Sequence, residues 1–280
     1  MYFYAKHENP WLLSKFFKSF ENIIEYCNIR IDSNGIIIKA MDSSHTSIIE
    51  STISVKDFSI FKLYDINAEL ILGVNLNSFC KIMSTAEQVD SVIFELKNLS
   101  SDILKIKFEN KSRNCGYKLK LLDINNEDID IIDMNYDLEL DLCIKRFMKI
   151  IQNIEITNSD NIIFKSNQEN STICLIGNGE IADVNILLKN SSESPGKRLK
   201  IRKSDKSLSL VDREKECILK PFKESVDLQF SLESIKKISK ISQIVDRVVI
   251  KLAEETPLKL EFKPTENSFI NYYIAPKISD

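Results

Sequence analysis

The 280-residue sequence predicts an α+β fold built from two similar units, on three observations. Residues 76–96 align with residues 232–252 without a gap, at an offset of 156, and eight of the twenty-one positions are identical. Four segments carry apolar residues at helical spacing. Most of the remainder consists of short runs that alternate apolar and polar residues between turn signals, as half-buried strands do.

Taken in order, each unit reads helix, strands, helix, strands. The first helix carries Leu13, Phe16, Phe17, Phe20 and Ile24 on one stripe, and its counterpart carries Ile144, Phe147, Met148 and Ile151. Leu76, Phe79, Cys80 and Met83 mark the second helix of the first unit, and Leu232, Ile235, Ile238 and Ile241 that of the second. A further match pairs residues 20–39 with 147–165, aligning Phe20 with Phe147 and Ile36–Lys39 with Ile162–Lys165. Asn28–Asp32 and Ile36–Met41 flank Ser33-Asn34-Gly35, a hairpin signal because Asn-Gly takes the backbone conformations that tight turns need. Further strands fit 50–58, 66–74, 91–97, 103–109, 116–122, 172–176, 181–188, 225–230, 246–252, 258–263 and 269–274. The domain boundaries this implies are 1–120 and 136–280, joined by a connector at 121–135.

Composition narrows the function classes. With 43% apolar and 28% charged residues the chain can bury a real core. Six glycines and six prolines are few for nucleotide folds built on glycine-rich loops. No apolar stretch approaches a membrane span, and Lys6, Glu8 and Pro10 interrupt the start, so no signal peptide is expected. The six cysteines lie at least 28 residues apart without a C-x-x-C pair, which argues against zinc ribbons and redox motifs and for reduced core cysteines.

At a net charge of −3 the chain is no general polyanion binder, so any nucleic-acid surface must come from local segregation. The helix faces opposite the apolar stripes are basic: Lys15 and Lys18, Lys81, Lys145, Arg146 and Lys149, then Lys236, Lys237 and Lys240. Such faces suit sequence-independent contacts to phosphates. The connector carries Asp123, Glu127, Asp128, Asp130 and Asp133, but also Ile124, Ile129, Ile131 and Ile132. A plain acidic linker has no use for those isoleucines, which read as side chains offered to a partner. Within the insertion at 190–220, six of the ten residues 197–206 are basic, as a solvated loop or a nuclear-import or DNA-touching segment would be.

Enzymatic patterns fail on context. Asp42-Ser43-Ser44-His45 has triad residue types, but sequence neighbours rarely converge as nucleophile, base and orienter. Gly177-Asn178-Gly179-Glu180-Ile181-Ala182 fits a dinucleotide fingerprint, yet an alternating strand pattern follows where a helix should open. The connector's calcium-loop spacing has Asp128 in place of glycine and Met134 in place of glutamate. Neither catalytic residues, metal nor cofactor are expected.

Three segments carry a resemblance: Gly35-x-x-x-x-Ala40-Met41-Asp42-Ser43-Ser44-His45-x-Ser47, Leu72-Gly73-Val74-Asn75-Leu76, and Tyr272-Tyr273-Ile274-Ala275-Pro276-Lys277-Ile278. In order and spacing the chain resembles the proliferating cell nuclear antigen family of sliding clamps, except over roughly 187–225. The resemblance implies two clamp domains with helices inside and antiparallel sheets outside, closing by homotrimerisation into a ring around double-stranded DNA. It implies a nuclear processivity factor, placed by a clamp loader, that docks DNA polymerase and other replication and repair proteins through their clamp-binding peptides. Carried over by position, the peptide site would involve Met41, His45 and Ile48, Ile129 and Ile131, Tyr136, Pro257, Tyr273, Ala275, Pro276 and Ile278; the plainer alternative for Met41 and Tyr273 is a place in the core. The subunit joint would use Tyr117 with Ile173, Leu175, Ile181 and Ile186. Lys81, Lys149 and Lys240 fall on positions that are basic in the family's channel, whereas Leu13, Ser14, Phe20, Ser84 and Gln152 replace usual lysines. Asp130 and Ile132 stand where the family commonly has Gly and Pro. Two alternatives remain at this stage: a checkpoint-type subunit of a heterotrimer, and a clamp-fold DNA-processing enzyme.

Overall fold

The computed structural model describes all residues except 66–68, 126–128, 133, 170, 190–216, 223 and 278–280. The basic run 197–206 and Ile278 therefore lie outside the described residues. The chain forms two compact units, Met1–Ile131 with Lys263–Asn271, and Ile132–Phe262 with Tyr272–Asp280.

In the first unit one sheet has the order β5 (Ile60–Leu63), β1 (Phe3–His7), β7 (Ser91–Leu96), β8 (Ile103–Glu109) and β9 (Asn114–Lys120), all antiparallel. A second runs β4 (Ser47–Ser54), β3 (Gly35–Met41), β2 (Tyr26–Asp32), β6 (Leu70–Asn75). Helices α1 (Pro10–Lys18) and α2 (Leu76–Met83) bury Phe17 and Phe79 edge to face at 4.7 Å. Phe3, Ile31, Leu72, Phe94 and Leu104 close around that pair, so strand alternation and helical stripe meet in one core.

The second unit repeats the plan. Its sheets are β14 (Cys217–Leu219), β10 (Leu138–Cys143), β16 (Arg247–Leu252), β17 (Leu258–Phe262), and β13 (Asp183–Lys189), β12 (Thr172–Asn178), β11 (Asn161–Asn167), β15 (Asp227–Ser231). Helix α3 spans Ile144–Glu155, and α4 spans Leu232–Lys237 before tightening into a 3-10 segment at Ile238–Gln243. The last strand, β18, spans Phe269–Ile274.

The 156-residue offset is visible in the caps. Asn75 Oδ1 accepts from Ser78 N at 2.8 Å, and Ser231 Oγ accepts from Ser234 N at 3.3 Å. Leu76 N donates to Glu25 O, and Leu232 N to Asp160 O. The second sequence match does not hold: Ile162–Lys165 lies on β11, which follows α3 as β2 follows α1, whereas Ile36–Lys39 lies on β3. A helical stripe superposes on itself after seven residues, and buried Ile/Lys strands look alike, so the alignment slipped by one stripe period.

Helix α1 ends earlier than its stripe. Ser19 Oγ donates to Phe16 O at 2.6 Å, and the chain continues in turns that still bury Phe20 and Ile24. Strands β1, β5, β10 and β14 carry no turn-bounded signal strong enough to be read from sequence. Among the cysteines, Cys27, Cys80, Cys143 and Cys217 are buried, and none of the six is in a disulfide. Burial pushes the Cys27 thiol up to about 12, so it is no thiolate at neutral pH.

Candidate functional site

In the first unit, Asp42 builds the loop that the sequence singles out. Its carboxylate is 2% exposed and accepts from Thr46 N and Ser47 N, each at 2.9 Å, and from Ser44 Oγ at 2.7 Å. That closure turns His45 into the left-handed region at φ 56° and out into solvent, with Nδ1 3.0 Å from Met41 Sδ. Triad residue types are thus present in another arrangement, since Ser44 donates to the carboxylate and the imidazole faces a sulfur.

The connector begins by binding to the sheet. Leu122 N donates to Gly73 O at 2.9 Å, and Asn28 Nδ2 donates to Ile124 O at 3.2 Å. Gly73 is required there, because a Cβ would stand 2.2 Å from Leu122 O. Between the β2–β3 hairpin and the connector lies a groove of about 260 Å³ lined by Met41, His45, Ile124 and Ile129 together with Tyr26, Asn28, Arg30 and Lys39. Ile48 pairs with Met41 across the β3–β4 ladder, and Ile131 is half-buried. Sequence reasoning missed Tyr26, Asn28, Arg30 and Lys39, although the alternation of β2 and β3 already sets these residues apart from the buried Cys27, Ile29, Ile31, Ile38 and Ala40.

In the second unit, Tyr136 is half-buried and burial pushes its phenol up to about 12. Pro257 precedes β17, Tyr273 is buried with Lys259 Nζ 5.6 Å from its ring centroid, Pro276 is half-buried and Ala275 exposed.

The predicted basic residues lie on their helices as follows. Lys15 and Lys18 are half-buried on α1, and Lys81 is exposed in the last turn of α2. On α3, Lys145 and Lys149 are exposed and Arg146 half-buried, opposite the buried Ile144, Phe147, Ile150, Ile151 and Ile154. Lys236 and Lys237 are on α4, Lys240 on the 3-10 segment, and Lys236 is ion-paired with Glu155.

Among the described residues six strands end sheets, since β4 and β17 each continue to β18, and most of the six are short or covered. β5 has four residues and β14 three. The connector lies on β6 through Leu122, and Lys277 N donates to Gln229 O of β15 at 2.7 Å. Among the described residues β9 and β13 remain, seven residues each, with the same sequence of exposed, half-buried and buried positions. Tyr117 and Ile186 are half-buried on these strands, and Ile181, in the turn before β13, is 70% exposed. Ile173 and Leu175 are fully buried on β12, one strand in, where they pair with Leu188 and Ile186. They support the edge rather than form it.

Comparison with known proteins decides the family. Residues 2–130 match the family model for the proliferating cell nuclear antigen N-terminal domain, and residues 130–277 that for its C-terminal domain. The chain belongs to the proliferating cell nuclear antigen family. Among its relatives, the proliferating cell nuclear antigen of Saccharomyces cerevisiae is 26% identical over 281 residues, covering 99% of this chain and 98% of that one. That of Chaetomium thermophilum is 25% identical over 278 residues, with the same coverages. The crystal structure of the proliferating cellular nuclear antigen from Entamoeba histolytica has the same fold, at a TM-score of 0.82 with 22% identity and 99% of both chains covered. This chain is accordingly a DNA sliding clamp, a processivity factor of a family that works without chemistry of its own.

Proposed function

We propose that the clamp closes by strand addition between copies: β9 of one pairs antiparallel with β13 of the next, and three copies complete a ring around duplex DNA. The pair of matching edges carries this reading, because each is seven residues long and, among the described residues, has a strand on one side alone, so its outward-facing backbone groups invite another chain. Tyr117 and Ile186 would meet on the half-buried side, with Ile181 covered beside them. The basic faces of α1 to α4 would contact phosphates without reading bases. Clamp-binding peptides of a DNA polymerase and other replication and repair proteins would dock in the groove formed by Met41, His45 and the connector. There an apolar anchor fills the pocket, and its rim supplies backbone hydrogen bonds. A clamp loader would open the ring in the nucleus, and no cofactor, metal or catalytic step is needed.

Light scattering across a dilution series tests the closure. Three chains of 32.3 kDa give 96.9 kDa, and a mass that holds at that value is the expected result. A persistent monomer would overturn homotrimer closure and favour a ring completed by different subunits.

A further inference from the structure

We propose that Trp11 is a duplex-DNA contact whose indole packs on the sugar–phosphate backbone beside Lys15 and Lys18. The inference rests on the clamp reading and adds to it a residue without charge. At 3.6 residues per turn, Trp11, Lys15 and Lys18 fall within roughly 60° of arc. Leu13, Phe16 and Phe17, all buried, occupy the opposite side of α1. The sole tryptophan of the chain thus stands on a basic face, 43% exposed, rather than in the core. A single exposed apolar side chain is ordinary, so exposure alone argues nothing. What argues is its company.

Lys15 Nζ lies 6.0 Å from the centroid of the indole, so a ligand that takes the ammonium must also meet the ring. The duplicated helix supplies the second observation. Superposing the stripes so that Leu13, Phe16 and Phe17 fall on Phe147, Ile150 and Ile151 sets Lys15 on Lys149 and Trp11 on Lys145. The indole therefore occupies the position where the second unit presents an exposed lysine. The backbone of a duplex offers what the pair can use: an apolar deoxyribose for the ring, and phosphate oxygens for the ammonium and the indole N–H. A single-strand platform would need several stacking rings, and Phe16 and Phe17 of the same helix are buried.

Because Trp11 is the only tryptophan, intrinsic fluorescence reads this contact directly. The full-length clamp is titrated at low salt with a short dye-labelled duplex, following dye anisotropy and tryptophan emission together. The expected result is an emission change that saturates with the anisotropy and reverses with added salt. Trp11→Ala should weaken binding about two- to five-fold and leave the slope of log K against log salt unchanged, having removed no charge. Lys15→Ala should lower that slope by about 0.9. Rising anisotropy with constant emission, or wild-type affinity in Trp11→Ala, would overturn the contact while leaving the clamp reading intact. No anisotropy change at low salt would overturn both this contact and the phosphate contacts proposed for the basic helix faces.

Discussion

Replacing Asp42 by alanine removes the acceptor that shapes the loop before β4. Two backbone amides, Thr46 N and Ser47 N, lose a carboxylate at 2.9 Å, and the Ser44 hydroxyl loses one at 2.7 Å. Ser44 and Thr46 are exposed, so water replaces much of what they lose, whereas Ser47 is buried and its amide is stranded. A stranded amide costs about 1–3 kcal/mol, and loss of a charge-assisted bond adds to it, so Asp42→Ala should destabilise the first unit by roughly 2–4 kcal/mol. Asp42→Asn keeps the oxygen that both amides share and loses the charge and the acceptor of the exposed Ser44 hydroxyl, at about 1 kcal/mol. Urea unfolding at neutral pH of wild type and both variants measures the difference. Equal effects of the two substitutions, or less than about 0.5 kcal/mol for Asp42→Ala, would refute the view that this carboxylate holds the loop. Calorimetry with a clamp-binding peptide adds a functional readout, since a loosened loop no longer holds His45 at φ 56° on the groove.

Gly73→Val places a Cβ 2.2 Å from Leu122 O, so the connector should detach there, with proteolysis near residue 122 rising and peptide affinity falling at least tenfold if the groove is the docking site. Ile186→Asp on β13 should shift the light-scattering mass toward the monomer while leaving the far-UV spectrum unchanged; an unaltered mass would exclude that edge from the subunit joint. Burial holds the His7 imidazole below its ordinary pKa despite the nearby Asp57 carboxylate. The unfolded chain therefore takes up that proton first, and stability should fall as pH drops below about 6.5. His7→Phe, which keeps a ring against Phe58 at 5.3 Å, should flatten that slope in thermal melts.

Acidification below the ordinary carboxylate range should loosen a second contact. Burial opposes ionisation of Asp57, but donors from Ser268, Thr265 and Asn267 outweigh it and hold the carboxyl below its usual value. This stability is complete above a pH of about 3.9 and is lost as pH falls through the depressed folded value. Hydrogen exchange at residues 265–268 should accelerate over that window.

Local pattern made much of this legible. The gapless 156-residue repeat, the Asn34-Gly35 hairpin and the stripes of Phe16, Phe17 and Phe79 need only neighbouring residues to be read, because capping, turn chemistry and amphipathic spacing act within one element. Strands 103–109 and 269–274 appear at the expected residues for the same reason. The isoleucines set the acidic connector apart from a plain solvated linker, and Ile124 and Ile129 line the groove beside Met41 and His45. Long-range partners set the rest. Whether a strand ends a sheet depends on what pairs with its second side, so Ile173 and Leu175, carried over to the subunit joint by position, lie one strand in with β13 outside them. Likewise the anchoring of the connector at Gly73 and Asn28, and the inclusion of residues 263–271 in the first unit through Asp57, join groups 49, 96 and 208 positions apart. Sequence determined which faces are apolar, which are basic and where the chain turns. Tertiary structure decided which edges stay open and which loop lies beside which strand, because hydrogen-bond pairing and van der Waals contact act at a few ångströms and take no account of separation along the chain.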